Sequence, residues 1–165
     1  MSMAAGNPHL VFLPLVLPIC VWVAWSDMAR MKIPNRAVLT LLAVFLFAGA
    51  FALPSQAYMY GLALGGAWLI AGFVASSLGL VGAGDAKFAA AMAPFVAAGD
   101  GLPFLMLFSA VLIASFALQR SARAMPAARR LAPTWESWER SEFPAGIALA
   151  SSLAIYLAMA SLGTI

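Results

Sequence analysis

The sequence predicts an all-α integral membrane protein, a single bundle of six transmembrane helices with both termini on the non-cytoplasmic side. Three observations carry this expectation. The 165 residues are 64% hydrophobic and 9% charged, whereas an average soluble domain is about 45–50% apolar and about 25% charged. Six apolar segments follow one another, approximately 9–26, 37–53, 57–79, 85–98, 102–118 and 143–163. All nine Lys and Arg residues fall in alternate junctions between those segments, as they do when basic residues mark the cytoplasmic side.

The first segment contains Pro14 and Pro18, which predict a bend, and it ends at Asp27 with a basic cluster of Arg30, Lys32 and Arg36 behind it. Its first eight residues lack Lys and Arg, and no small-residue cleavage site follows it. A retained helix is therefore expected instead of a cleaved signal peptide. The second segment is joined to the first by a short turn. The third is rich in small residues, with a Gly-x-x-x-Gly spacing at Gly61 and Gly65 that allows close helix approach. Packing inside the bundle is the favoured reading over a dedicated dimer face.

The fourth segment is short. At about 1.5 Å per residue it does not reach across a hydrocarbon core about 30 Å thick. Charge placement nevertheless makes it cross. Only then do Lys87 and the later Arg120, Arg123, Arg129, Arg130 and Arg140 share a side with the first cluster. A helix this short is expected to be shielded by its neighbours. Between segments five and six lies a polar cytoplasmic loop, 119–142, divided by Pro126 and Pro133. Trp135 and Trp138 are three residues apart and share a face if helical, which suits an element lying at the headgroups.

The net charge of +3 does not point to nucleic acid, because so few basic residues are already used as topology markers. The lone Cys20 has no partner for a disulfide or a zinc site. The single His9 and the methionines show no metal-ligand spacing, so no metal or organic cofactor is implied.

Ionisable groups beside hydrocarbon are costly and are functional hypotheses by default. The chain has three aspartates, Asp27, Asp85 and Asp100. The predicted topology places Asp27 at the cytoplasmic end of the first helix and Asp85 at the cytoplasmic start of the fourth, at similar depth. Two carboxyls that meet share a proton, because both cannot ionise at short range without a large electrostatic cost. One ionised and one protonated group is what peptide hydrolysis needs. Gly82 and Gly84 permit positive φ and close backbone approach beside Asp85. Taken singly, each motif has a plainer reading: Asp85 as the N-cap of a helix after a turn, and Asp27 as a juxtamembrane residue paired with Arg30.

Taken together, Asp27, five residues, then Ile33-Pro34-Asn35, followed by Gly82-x-Gly84-Asp85-x-Lys87, resembles the prepilin peptidase family of membrane aspartic proteases. Pro144-x-Gly146-x-Ala148 in the last segment is similar to a weaker motif of that family. The resemblance implies that Asp27 and Asp85 are the catalytic pair and that Gly82, Gly84 and Lys87 flank the active site. It also implies that Pro34 and Asn35 shape the turn into the second helix. Lys87 has two readings, a group that orients substrate or tunes the pair, and a snorkelling topology anchor.

Longer members also methylate the new pilin N-terminus and carry an insert with paired cysteines near the first junction. Here that junction is about ten residues long. The chain therefore looks like the short, peptidase-only branch that serves Flp/Tad-type pili. Such enzymes cut prepilin leaders at the cytoplasmic face of the bacterial inner membrane, with water as co-substrate. The implied partners are a prepilin, the bilayer and pilus-assembly machinery. Three rivals remain open at this point. They are an inert scaffold of a pilus or secretion system, a small proton-linked transporter, and a Gly-x-Gly-Asp protease with another membrane substrate.

Overall fold

The computed structural model describes residues 7–164, and every described element is helical or a turn. Helix α1 spans Pro8–Arg30, α2 Asn35–Ala52, α3 Ser55–Ser77, α4 Ala83–Met92, α5 Gly101–Ala124, α6 Pro126–Leu131 and α7 Ala145–Ser161. Four of these, α1, α2, α3 and α5, are long and apolar enough to cross a membrane. The shorter α7 is apolar as well.

Local chemistry sets the boundaries. Asn7 caps α1 by accepting the His9 amide, and Pro8 occupies the first helical position, where its missing N–H costs nothing. The helix runs beyond the predicted end, through Asp27 to Arg30. It stops where Met31 adopts the left-handed region (φ 50°) and donates its amide to the Asp27 carbonyl. Pro34 and Pro54 precede α2 and α3, each holding an extended backbone that helix cannot continue through.

The fourth predicted segment proves to be a ten-residue helix, α4, followed by a 3-10 turn at Ala93–Phe95 and extended backbone at Val96. Pro94 accounts for the break, since it removes a backbone donor and crowds the preceding turn. Of α4, Ala86, Phe88, Ala90, Ala91 and Met92 are buried. The helix is walled in by α3, α2 and α7, which is how so short an apolar helix avoids lipid.

The small residues of α3 make this packing possible. A methyl at Gly61 would lie 2.5 Å from Phe45 Cζ and 2.9 Å from the Pro94 carbonyl oxygen, and one at Gly65 would lie 2.8 Å from Pro94 Cγ. One at Gly72 would sit 3.0 Å from Ala86 Cβ. The glycine stripe is thus consumed by α4 and its 3-10 turn within the same chain.

The core joins α1 (Phe12, Val16, Val23), α2 (Leu41, Phe45), Phe88 and Phe95, and α7 (Leu153, Tyr156, Leu157). Outward from it, α3 and α5 present large apolar side chains, among them Trp68, Ile70, Phe73, Ile113 and Leu118. A continuous apolar exterior of this kind marks a membrane-facing surface.

The polar connection after α5 is ordered against it. Gln119 Nε2 donates to the Ser137 carbonyl (3.1 Å), Arg120 Nη2 to that of Ser141 (2.8 Å) and Arg123 Nη1 to that of Arg140 (2.6 Å). Trp135 and Trp138 stack with centroids 5.6 Å apart, around a 3-10 turn at Glu136–Trp138. The sequence pattern did not anticipate α6, whose six residues are too few for a hydrophobic period to show.

Candidate active site

The last turn of α1, the first turn of α4 and the start of α7 converge at one end of the bundle. Asp27 is only 5% exposed. Its Oδ2 accepts the backbone N–H of Gly146 at 2.7 Å, a bond that ties α1 to the N-terminus of α7. Free amides at a helix start are natural partners for a carboxylate.

Gly146 is small for a reason. A Cβ there would stand 2.7 Å from Asp27 Oδ2 and 3.0 Å from both Asp27 Cγ and Ile33 Cδ1. Ile33 touches α4 as well, because a Cβ on Gly84 would meet Ile33 Cβ at 3.4 Å. The sequence Asp27–Gly146–Ile33–Gly84 is therefore a chain of contacts that leads from one aspartate to the residue preceding the other.

The α1–α2 turn is braced from within. Ser26, 1% exposed, donates through Oγ to the Lys32 carbonyl at 2.9 Å. Pro34 then accepts the Ala37 and Val38 amides through its carbonyl oxygen, so Asn35 begins α2. This fixes Ile33 between the two glycines.

On the α4 side the helix is entered through Gly82, with φ −61° and ψ 138°. Asp85 is thus not the N-cap but lies inside the first turn, where the helix macrodipole favours an anion. Neither Gly82 nor Gly84 uses a positive φ, a conformation found among the glycines at Gly79 and Gly163. Gly82 is required by proximity instead: a Cβ there would sit 2.6 Å from Asp85 Oδ2. The carboxyl folds back over a residue that has no side chain to obstruct it.

Among the described residues, neither the Asp85 carboxyl nor Asp27 Oδ1 has a hydrogen-bond partner in the protein. Asp27 also forms no ion pair with Arg30, whose guanidinium instead lies 5.4 Å from the Trp25 ring centroid. Lys87 pairs with neither aspartate within 4 Å. It is exposed, and with Asn35 it lines a groove of about 470 Å³ between α2, α3 and α4. The rest of that groove is apolar, with Val38 and Leu42 on one side and Leu62 and Leu69 on the other.

No group of three or more His, Cys, Asp or Glu residues among those described could hold a metal ion. The sequence motifs named Ile33 and Gly146 without giving either a contact in the site. Their signal was present in the Ile-Pro-Asn and Pro-x-Gly patterns, but only packing shows what they touch.

A family model described as the type IV leader peptidase family matches residues 14–118. The matched span contains Asp27, Ile33-Pro34-Asn35 and Gly82 to Lys87, and it ends before α7. Comparison with curated proteins and with solved structures gave no match. The chain belongs to the type IV leader peptidase family, and it is a protease-family protein built from helices of membrane-spanning length.

Proposed function

We propose that this protein is an aspartic endopeptidase that removes the leader of Flp-type prepilins at the cytoplasmic face of the bacterial inner membrane. The observation that carries the reading is the run of close approaches from Asp27 through Gly146 and Ile33 to Gly84, the residue before Asp85, with three of the four carboxyl oxygens of the two aspartates left without protein partners among the described residues. A carboxylate of the pair takes a proton from water, and the resulting hydroxyl adds to the scissile carbonyl carbon. The protonated partner hydrogen-bonds the carbonyl oxygen as charge develops there. Collapse of the tetrahedral adduct breaks the C–N bond, and the amine leaves with a proton from the pair. Gly82, Gly84, Pro34 and Asn35 shape the site, and Lys87 stands at the mouth of the α2–α3–α4 groove. The apolar walls of that groove suit an apolar helical segment entering from the bilayer.

In this reading the chain crosses six times with both termini outside the cytoplasm, α4 crossing as a shielded half-length helix. Arg30, Lys32, Arg36, Lys87 and the arginines of the 119–142 loop then share the cytoplasmic side. With Cys20 the sole cysteine, methylation of the product is not part of the function.

Co-expression with a Flp-type prepilin tests this. Wild type should yield mature pilin, while Asp27→Asn and Asp85→Asn, present at equal abundance in the membrane, should leave the precursor intact. Precursor left uncut by abundant wild type would refute the substrate assignment. Maturation by either variant would remove that aspartate from the chemistry.

A further inference from the structure

The α2–α3–α4 groove arises where two neighbouring helices part. Helices α2 and α3 hold together near their shared turn, where the Tyr58 ring stacks on Phe45 with centroids 5.5 Å apart and its hydroxyl donates to the Leu46 carbonyl. Beyond that turn each packs on α4 instead of on the other. Gly65 and Gly72 bring α3 onto α4, a Cβ at Gly65 lying 3.2 Å from the Ala90 carbonyl oxygen. The groove is the space left between α2 and α3, floored by the buried Ala90, Ala91 and Pro94. From Asn35 to Leu42 on α2, and from Lys87 to Pro94 on α4, it follows about 10 Å of helix.

Its two ends differ. The polar lining residues, Asn35 and Lys87, stand at the end that adjoins the aspartates. Asn35 follows Ile33-Pro34, and Lys87 is less than one helical turn beyond Asp85. The other end, at Leu42, Leu62 and Pro94, is apolar. An occupant that fits has one polar end beside Asp85 and an apolar body. One wall residue is also unexplained by the protein's own packing. Of the glycines of α3, Gly61, Gly65 and Gly72 are pressed by Phe45, Pro94 or Ala86, but a Cβ at Gly66 would meet nothing within 4 Å. Gly66 is exposed and lines the groove. Glycine inside a helix is less favourable than alanine, and at a lipid-facing groove it lets the backbone of another helix come close.

We propose that this groove seats the apolar helical segment of the substrate, and that Gly66 sets how closely that helix approaches. The inference rests on the peptidase reading above and adds to it the surface that holds the substrate. Continuity with the aspartates selects this occupant, because a helix seated between α2 and α3 ends at Asn35 and Lys87, beside Asp85. Helices in hydrocarbon associate through close packing and not through removal of apolar surface from water. A wall without a side chain at Gly66, over a floor of Ala90 and Ala91, supplies that packing.

Site-specific photocrosslinking in membranes tests this. The full chain carries benzoylphenylalanine at Leu39 or Leu69 on the groove walls, or at Ile113 on the exposed face of α5. Asp85→Asn keeps the co-expressed Flp-type prepilin uncut. Adducts from Leu39 and Leu69 should map to the apolar segment of the prepilin and exceed those from Ile113. Gly66→Trp, which fills the groove, should lower the groove adduct about tenfold, the scale of overpacking at a close contact. Ala67→Trp, at an exposed position of α3 outside the groove, should leave it in place. Thermal unfolding in detergent should be alike for the two variants, since the space around Gly66 is open. Equal adducts from the groove and from Ile113 would overturn the proposal, as would groove adducts that map to a second copy of this chain. A groove adduct undiminished in Gly66→Trp would overturn it too. Crosslinking reads binding and not cleavage, so the two readings fail separately. Prepilin matured by wild type with no groove adduct refutes the groove alone, whereas a groove adduct on a prepilin that wild type leaves uncut supports the groove and refutes the cleavage.

Discussion

The bundle holds an aspartate cluster near each end, and the two are built in opposite ways. At one end Tyr156, fully buried, donates its hydroxyl to Asp100 Oδ2 at 2.7 Å and accepts the Ala97 amide at 3.0 Å. The His9 ring lies edge-on to it, with centroids 5.8 Å apart. Asp100 is also the residue that precedes α5, and its carbonyl accepts the Phe104 amide. The Tyr156 hydroxyl joins α7 both to Asp100 and to the Ala97 amide, so this aspartate acts as a clamp. At the other end Asp27 is more deeply buried, yet it has one protein hydrogen bond, and Asp85 has none. Burying carboxyls with unsatisfied oxygens costs stability. A protein retains such a pair where water or a substrate completes it.

Substitution should separate the two ends sharply. In prepilin cleavage, Asp27→Asn and Asp85→Asn are expected to lower the rate by about 10³-fold or more, the scale of lost acid–base catalysis. Asp100→Asn should leave the rate per folded molecule unchanged. Gly146→Ala comes next. Its methyl would fall 2.7 Å from Asp27 Oδ2, so the carboxyl must move, and a displacement of that order costs about 10²-fold in rate. Membrane abundance, measured alongside by immunoblot, should remain near wild type.

Two smaller effects concern stability and leave catalysis alone. Gly61→Ala forces a methyl against Phe45 and the Pro94 carbonyl and should destabilise the protein by about 1–3 kcal/mol. Gly66→Ala on the same helix, with nothing within 4 Å, should be neutral or slightly favourable. Thermal unfolding in detergent compares the two. Tyr156→Phe removes the clamp's hydroxyl and should cost about 1–2 kcal/mol in the same assay, with unchanged cleavage by the molecules that remain folded.

In the sequence the two aspartates were easier to single out than the ends of the helices that carry them. Asp27 and Asp85 stood out because a carboxyl beside an apolar segment has few structural excuses, and the Ile-Pro-Asn and Gly-x-Gly-Asp patterns flanked them. Helix existence was equally legible from apolar runs, although ends moved. α1 ran on to Arg30 because nothing before Met31 breaks it. α4 stopped at Met92 because of Pro94, whose effect was lost within a uniformly apolar stretch. The close contacts of Gly82 and Gly146 were not legible, since a glycine in a motif does not say which atom approaches it. Asp100 looked unremarkable for the same reason: its partner Tyr156 is 56 residues away.

Under the proposed function Asp27 and Asp85 act as one coupled pair and Asp100 stands outside it. Infrared titration of the aspartate carboxyls in bilayer-reconstituted protein tests this most directly, comparing wild type with Asp85→Asn and Asp100→Asn. Coupled groups titrate as a pair, so Asp85→Asn should displace the titration of Asp27 and Asp100→Asn should leave it in place. An Asp27 titration indifferent to Asp85→Asn would contradict the account.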